Sequence, residues 1–427
     1  MDWLTNPNML WVLSGTMLLG ASSGILGSFA LLRRRSLLGD ALAHAALPGI
    51  CLAFMIAGTK SLPVLLFGAL VASLLGSFVI QAVVKHTKLK EDAALGIVLS
   101  VFFAFGIVLL TQIQHSGAGN QSGLDKFLFG QAASMIGSDV QVMAVSAAIV
   151  SLLTILLFKE LKLLCFDAQY ASGIGFSSRV LDGLLMILIV MIVVIGLQAV
   201  GVVLMAALLI TPAAAARLWT DNLRVMVWLA GLMGVVSGIG GTFISSVGLR
   251  LPTGPLIVIS ASIMFAFSLI FAPKKGIIAR IAWLVKTRIK VGRENVLRTM
   301  YELAEAAGTW DLAVSAERIA QRRGVESNKI MPNVRRLARE KLITLSSGKY
   351  NLTKEGLKNA YSIVRNHRLW EMFLMHENQI AADHVDRDAD LIEHHLSPEI
   401  VKQLEEFLKV HSLELKLPES VHPINVG

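Results

Sequence analysis

The sequence predicts an all-α polytopic membrane protein of about nine passes, with one broken or re-entrant helix, followed by a soluble winged-helix and helical tail. Three observations carry this. Of 427 residues, 54% are hydrophobic and only 16% charged, with a mean hydropathy of +0.64, where a soluble domain has about a quarter charged. Apolar runs near the length needed to cross a bilayer, about 20 residues, recur through the front of the chain. Charge is also divided unevenly. Residues 1–273 hold 14 Lys/Arg and 10 Asp/Glu, and the last 154 residues hold 25 and 20.

Taken in order, the spans fall near residues 9–32, 41–58, 62–84, 93–113, 138–158, 225–247 and 254–272, with a longer apolar tract at 183–211. Basic residues collect at cytoplasmic ends of membrane helices. Arg33, Arg34 and Arg35, then Lys85, Lys88 and Lys90, then Lys159 and Lys162, and finally Lys274 and Lys275 mark those ends. The flanks of 183–211 are both basic, with Arg179 before and Arg217 and Arg224 after. A single pass would put those flanks on opposite sides, so the tract is expected to cross and return, turning near GLQAVG. At 1.5 Å per residue it is short for two full spans, which is why the return is expected to be broken or re-entrant. The N-terminus is expected outside and the C-terminal domain in the cytoplasm, with the chain in the plasma membrane. The N-terminal MDWLTNPNMLW lacks the basic segment of a cleaved signal peptide, so the first run is read as a retained span. Two cysteines, Cys51 and Cys165, are too few for a disulfide framework or a four-cysteine zinc site.

Ionisable side chains inside a span are rare and usually functional. SLLGDALAHAALPGI sets Asp40 and His44 four apart, on one helix face. A carboxylate and an imidazole there can grip one divalent ion of the Mn²⁺, Fe²⁺ or Zn²⁺ type, whereas Cu(I) prefers sulfur. The competing reading makes Asp40 a helix cap and His44 an interfacial residue. Glu91 and Asp92 suit the positive end of a helix dipole. Asp125, Asp139 and Asp182 read as loop or cap residues, and His115 and Met205 as packing or as lining of an entry path. In ITPAAAARLWTDNLR, Pro212 is expected to end a helix, followed by a small-residue turn and Arg217. Such a segment either docks on a soluble partner or is an ordinary loop.

LLRRRSLLGDALAHAALPGI, EDAALGIVLSVFFAFGIVLL and AVGVVLMAALLITPAAAARL, in that order, resemble the permease subunit of zinc/manganese ABC importers over about residues 9–272. The resemblance implies that Asp40 and His44 are the metal-coordinating pair in the translocation path. It also implies that Thr211, Pro212, Ala213, Ala214, Ala215, Ala216, Arg217 and Leu218 form the region that couples to the ATPase. A GxxxxGK[ST] phosphate loop is absent from the sequence, so hydrolysis is assigned to a separate ATP-binding subunit. An extracellular metal-binding lipoprotein and a second permease subunit are further partners the resemblance implies. No tightly bound cofactor is expected in the membrane domain.

The membrane domain is therefore taken as 1–273, an amphipathic linker helix as 274–292, a winged-helix domain as 293–360 and a helical domain as 361–427. IIARIAWLVKTRIKV mixes basic and apolar residues, as suits a helix lying on an anionic membrane surface or one that continues the last span. Helices at Ala316–Arg323 and Asn328–Glu340 are expected to flank a turn at Gly324, and ITLSSGKYNLT to form the two-stranded wing. Lys329, Arg335, Arg336 and Arg339 on the second helix are candidate nucleic-acid contacts. Winged helices also serve protein contacts, and DNA binding is left open.

NHRLWEMFLMHE followed by DHVDRDADLIEHHLSPEIVKQLEEFL resembles the metal-binding and dimerisation half of the diphtheria-toxin-repressor family of metal-dependent regulators. The resemblance places His367, Glu371, Asp386, Asp390, Glu393 and His394 at ligand positions for a regulatory divalent metal. One feature departs from that pattern: the first-helix positions that would supply ligands are Asn295 and Arg298, and arginine repels a cation.

The sequence thus points to a transport subunit and holds no hydrolytic or redox constellation. Manganese is the first choice of cargo and zinc or iron the alternative, because the membrane pair lacks thiolate. The tail is read as a metal sensor that regulates transport. The alternatives are a purely structural tail and a membrane-tethered, metal-responsive DNA-binding regulator.

Overall fold

A computed structural model describes residues 7–35, 37–58, 61–115, 130, 132, 135–247, 251–377 and 398–410. The chain divides into two compact units, Met1–Arg280 and Ile281–Gly427.

The first unit is helical throughout its described residues. Its helices are α1 (Pro7–Leu32), α2 (Leu38–Ala57), α3 (Leu62–His86), α4 (Glu91–His115) and α5 (Gly137–Leu156). Then come the short α6 (Phe158–Phe166) and α7 (Ala168–Gly173), followed by α8 (Ser178–Ala199), α9 (Val202–Trp219), α10 (Leu223–Val247) and α11 (Thr253–Phe271). Among the described residues, eight helices are long and apolar enough to cross a membrane, and α9 is a shorter apolar one. The 183–211 tract forms two helices, as expected. Val200 and Gly201 alone join α8 to α9, and Gly201 takes φ +89°, a region that glycine enters without Cβ strain. Both helices extend beyond the apolar tract, which is how two of them fit.

Two expectations change here. Pro212 does not end its helix, because α9 runs through it to Trp219. A proline inside a helix removes one amide donor, and membrane helices tolerate this where neighbouring protein surrounds the freed carbonyl. Ala213, Ala215 and Ala216 are fully buried, so burial replaces the missing hydrogen bond as the reason for helix. Residues 158–173, read only as the basic end of a span, form α6 and α7.

Helices α8, α2 and α1 form the interior, with 67%, 61% and 56% of their apolar windows buried, while α11 at 22% lies at the rim. Close packing rests on small residues, since lipid supplies no hydrophobic force between helices. The most extensive pair, α1 with α10, meets at Gly20 and Gly234. A Cβ on Gly20 would stand 2.2 Å from the Gly234 carbonyl oxygen, and one on Gly234 would stand 1.9 Å from that of Gly20.

In the second unit, α12 (Ile277–Ala306, beginning just before the division) is one continuous 30-residue helix. Its early residues are exposed, and Val296, Leu297, Met300 and Leu303 enter a small core. Helices α13 (Ala316–Arg322) and α14 (Ser327–Arg339) turn at Gly324, φ +63°. Ser315 caps α13 by accepting from the Arg318 amide, as N-cap serines do. Strands β1 (Ile343–Ser346) and β2 (Lys349–Leu352) pair antiparallel, Ile343 opposite Leu352 and Ser346 opposite Lys349. Ser347 and Gly348, both at positive φ, make the two-residue hairpin turn that matches strand twist. This is the expected winged helix. Helices α15 (Lys354–Glu377) and α16 (Pro398–Val410) pack together behind it.

Gly20→Ala is expected to lower the thermal unfolding temperature of the detergent-purified protein. Gly96→Ala, where a Cβ meets nothing within 4 Å, should leave it within error. Equal melting of the two variants would remove the close approach as a source of stability.

Candidate metal centre

The membrane pair is built by α2 and α4. Leu47 lies against Gly106, and the Cys51 thiol donates to the Gly106 carbonyl at 3.7 Å, so α2 lies close along α4. One turn earlier, the His44 ring meets Phe103 edge-on, with centroids 4.6 Å apart at 83°, which fixes the imidazole plane. Nε2 of His44 then stands 3.5 Å from Oδ1 of Asp40. That is long for a hydrogen bond. It matches two ligands sharing one ion, which at about 2.1 Å each and a tetrahedral angle stand about 3.4 Å apart. Leu37, at the N-cap of α2, makes no side-chain capping bond, and Asp40 lies in the first turn, where its charge also suits the helix dipole. Nδ1 of His44 is buried, with no hydrogen-bond partner among the described residues. Pro48 lies inside α2 and offers no amide to the His44 carbonyl four residues back, which adds a backbone oxygen to this turn. Cys51 is seven residues on, about 10 Å along the axis, too far to share an ion with the pair. Among the described residues, no group of three or more His, Cys, Asp and Glu side chains could hold a metal. Asp40 and His44 therefore offer at most two side-chain donors to an ion at this turn.

Charged residues beside the pair are tied together in a way the sequence did not suggest. Arg33 Nη2 donates to both Asp182 oxygens at 2.8 and 2.7 Å, and Arg33 Nη1 donates to the Leu164 carbonyl at 3.2 Å. Arg35 reaches Glu91 at 3.4 Å and Asp182 at 3.6 Å. The loop or cap reading of Asp182 is thus replaced: it lies in α8 and anchors two guanidiniums. Asp139 does bond the Ile136 amide ahead of α5, at 3.2 Å, and Asp125 lies outside the described residues. Buried Met186 is a second unforeseen feature, its sulfur accepting from Ser77 Oγ and Gln81 Nε2 at 2.9 Å each. His115 ends α4, exposed; Met205 is fully buried against Gly196.

In Thr211–Leu218, Ala213, Ala215 and Ala216 are buried and Ala214 partly so, and the accessible end is Arg217 with the turn that follows it. Lys275 bonds Asp221 and holds its carboxyl below the usual carboxylate range, helped by the charges of Arg217 and Lys274.

In the tail, His367 and Glu371 do come together. Nε2 of His367 meets Oε1 of Glu371 at 3.0 Å, both buried. Arg298 joins them from α12: its Nη1 donates to His367 Nδ1 at 3.1 Å and its Nε to Glu302 Oε1 at 2.7 Å. Arg368 pairs with Glu305 beside it. A divalent ion does not fit this corner, because a guanidinium only donates and stays charged. Asp386, Asp390, Glu393 and His394 lie outside the described residues. Lys329, Arg335, Arg336 and Arg339 are exposed on α14.

Asp182→Ala is expected to cost about 1–3 kcal/mol by leaving partly buried guanidiniums short of a carboxylate, read as a lower melting temperature. Asp182→Asn should recover little of that loss and Asp182→Glu most of it. Unchanged melting in Asp182→Ala would show that the network holds nothing.

The profile of the ABC 3 transport family matches residues 5–272, and that of the iron dependent repressor metal binding and dimerisation domain matches residues 353–412. The manganese transport system membrane protein of Bacillus subtilis is 48% identical over 386 residues, 90% of this chain and 88% of the relative. The zinc transport system membrane protein of Treponema pallidum is 47% identical over 267 residues, 62% of this chain and 90% of the relative. The structure of PsaBC from Streptococcus pneumoniae in complex with Fab superposes with a TM-score of 0.58 at 32% identity, covering 64% of this chain and 95% of that one.

Proposed function

The chain belongs to the ABC 3 transport family, and from that premise we propose that it conducts Mn²⁺ across the plasma membrane, with Asp40 and His44 as the pair the ion passes. It is a permease subunit and not an enzyme; ATP is hydrolysed by a separate subunit. The observation that carries the site is the 3.5 Å gap between His44 Nε2 and Asp40 Oδ1, too long for a good hydrogen bond and apt for a shared ion. Two protein donors are few for a resident ion, since structural metal sites are closed by four or more ligands. An incomplete site suits a cargo that must leave again.

Manganese is favoured by the donor set, imidazole and oxygen with no thiol in reach, and by the Bacillus relative named for manganese, whose match extends into the tail. Zinc is the second reading, because the Treponema relative is named for it and zinc accepts the same donors. In this proposal the N-terminus is outside and the tail cytoplasmic, following the basic ends. An extracellular lipoprotein delivers the ion, a second permease copy completes the path, and the Arg217 end of α9 meets the ATPase. The regulator-like tail is an addition to the transport unit, since 267 residues of this chain already match 90% of the Treponema relative.

Asp40→Ala and His44→Ala are each expected to reduce cellular Mn²⁺ accumulation to the level of cells lacking the transporter, at normal protein abundance in the membrane. Wild-type manganese content in both variants would sink the assignment; loss of zinc alone would replace the cargo and keep the site. Truncation after residue 276 should leave uptake intact. Complete loss of transport by a truncated protein that still reaches the membrane would make the tail part of the transport machinery.

A further inference from the structure

The iron dependent repressor profile that matches residues 353–412 describes a metal-binding domain, yet the described part of this tail fills the corner between α12 and α15 with its own cation. Arg298, His367 and Glu371 are 6%, 2% and 4% exposed, so their polar atoms must satisfy one another. A guanidinium has no lone pair to offer and must donate. His367 Nδ1, 3.1 Å from Arg298 Nη1, is therefore the acceptor. The ring proton then resides on Nε2, which donates to Glu371 Oε1 at 3.0 Å. With one ring nitrogen accepting from a guanidinium and the other protonated, His367 has no lone pair for a metal. Glu302 accepts from Arg298 Nε at 2.7 Å, so the guanidinium is paired with a carboxylate on its own helix and bonded to the imidazole of α15.

We propose that Arg298 is a built-in cation that fastens α12 to α15 where a divalent ion would otherwise be held, and that the tail is assembled at this corner without metal. The proposal is independent of which ion the permease carries. Occupancy of His367 and Glu371 by metal then cannot be the signal by which the tail responds to the cell.

Hydrogen exchange of the full-length protein in nanodiscs tests this, read in peptides from residues 293–306 and 354–377. The wild type is expected to exchange identically in EDTA and in excess Mn²⁺ or Zn²⁺. Arg298→Met should raise exchange in both segments by about tenfold or more, from loss of one buried charged partner. Arg298→Lys, which keeps a cation, should stay closer to wild type and equally indifferent to metal. The proposal is overturned if wild-type exchange quickens in EDTA and recovers with Mn²⁺, with His367→Ala abolishing the response. It is also overturned if Arg298→Met exchanges like wild type, because the guanidinium would then fasten nothing. Should Arg298→Met fail to fold, the wild-type chelation comparison and the Arg298→Lys protein still decide.

Discussion

The membrane unit depends on how closely α2 can lie against its neighbours. In hydrocarbon, helices gain little from mutual apolar contact and hold together by dispersion at short range. On α2, Gly49 approaches Gly68 of α3 so closely that a Cβ on either would stand within 2.4 Å of the other's carbonyl oxygen. On the α4 side, Gly106 makes the same room for Leu47. With its backbone clamped on both sides, α2 carries Asp40 and His44 in fixed register, and the Phe103 ring sets the imidazole. A bulkier seam would move both donors by more than the few tenths of an ångström that separate a ligand distance from a contact.

Most of this architecture was legible in the chain because its causes are local and repetitive. Apolar runs marked most of the long helices, the 183–211 tract was expected to hold two, and ITLSSGKYNLT marked the wing. What escaped was decided by tertiary context. Pro212 looks like a stop signal by propensity, but burial of its alanine neighbours outweighs one lost hydrogen bond. Asp182 is 149 residues from Arg33, and nothing in a linear pattern announces such a partner. The spacing of Asp40 and His44 suggested a shared face; only the folded chain adds the Phe103 ring against the imidazole. In the tail, Arg298 was visibly out of place as a ligand, but its bond to His367 required the folded pair of helices.

The two histidine–carboxylate pairs of this chain show how context changes one motif. Both are four residues apart on a helix. His44 keeps a buried nitrogen without a partner among the described residues and stands loosely from Asp40. His367 has both nitrogens engaged and its carboxylate at hydrogen-bond distance. The first leaves a gap between ring nitrogen and carboxylate that is loose for a hydrogen bond. The second is saturated, and a metal would have to displace a guanidinium that is already paired with Glu302.

The turn at Val200 and Gly201 bears on how the chain is built into the bilayer. Two residues reach at most about 7 Å, against roughly 30 Å of hydrocarbon, so α8 and α9 must enter as one hairpin. Helix α8 is the most apolar of the candidate spans. Helix α9 is shorter, contains Pro212 and carries Arg217 in its last turn. A strongly apolar helix joined this tightly to a weaker one makes the pair, and not either helix alone, the unit whose apolar surface has to match the bilayer.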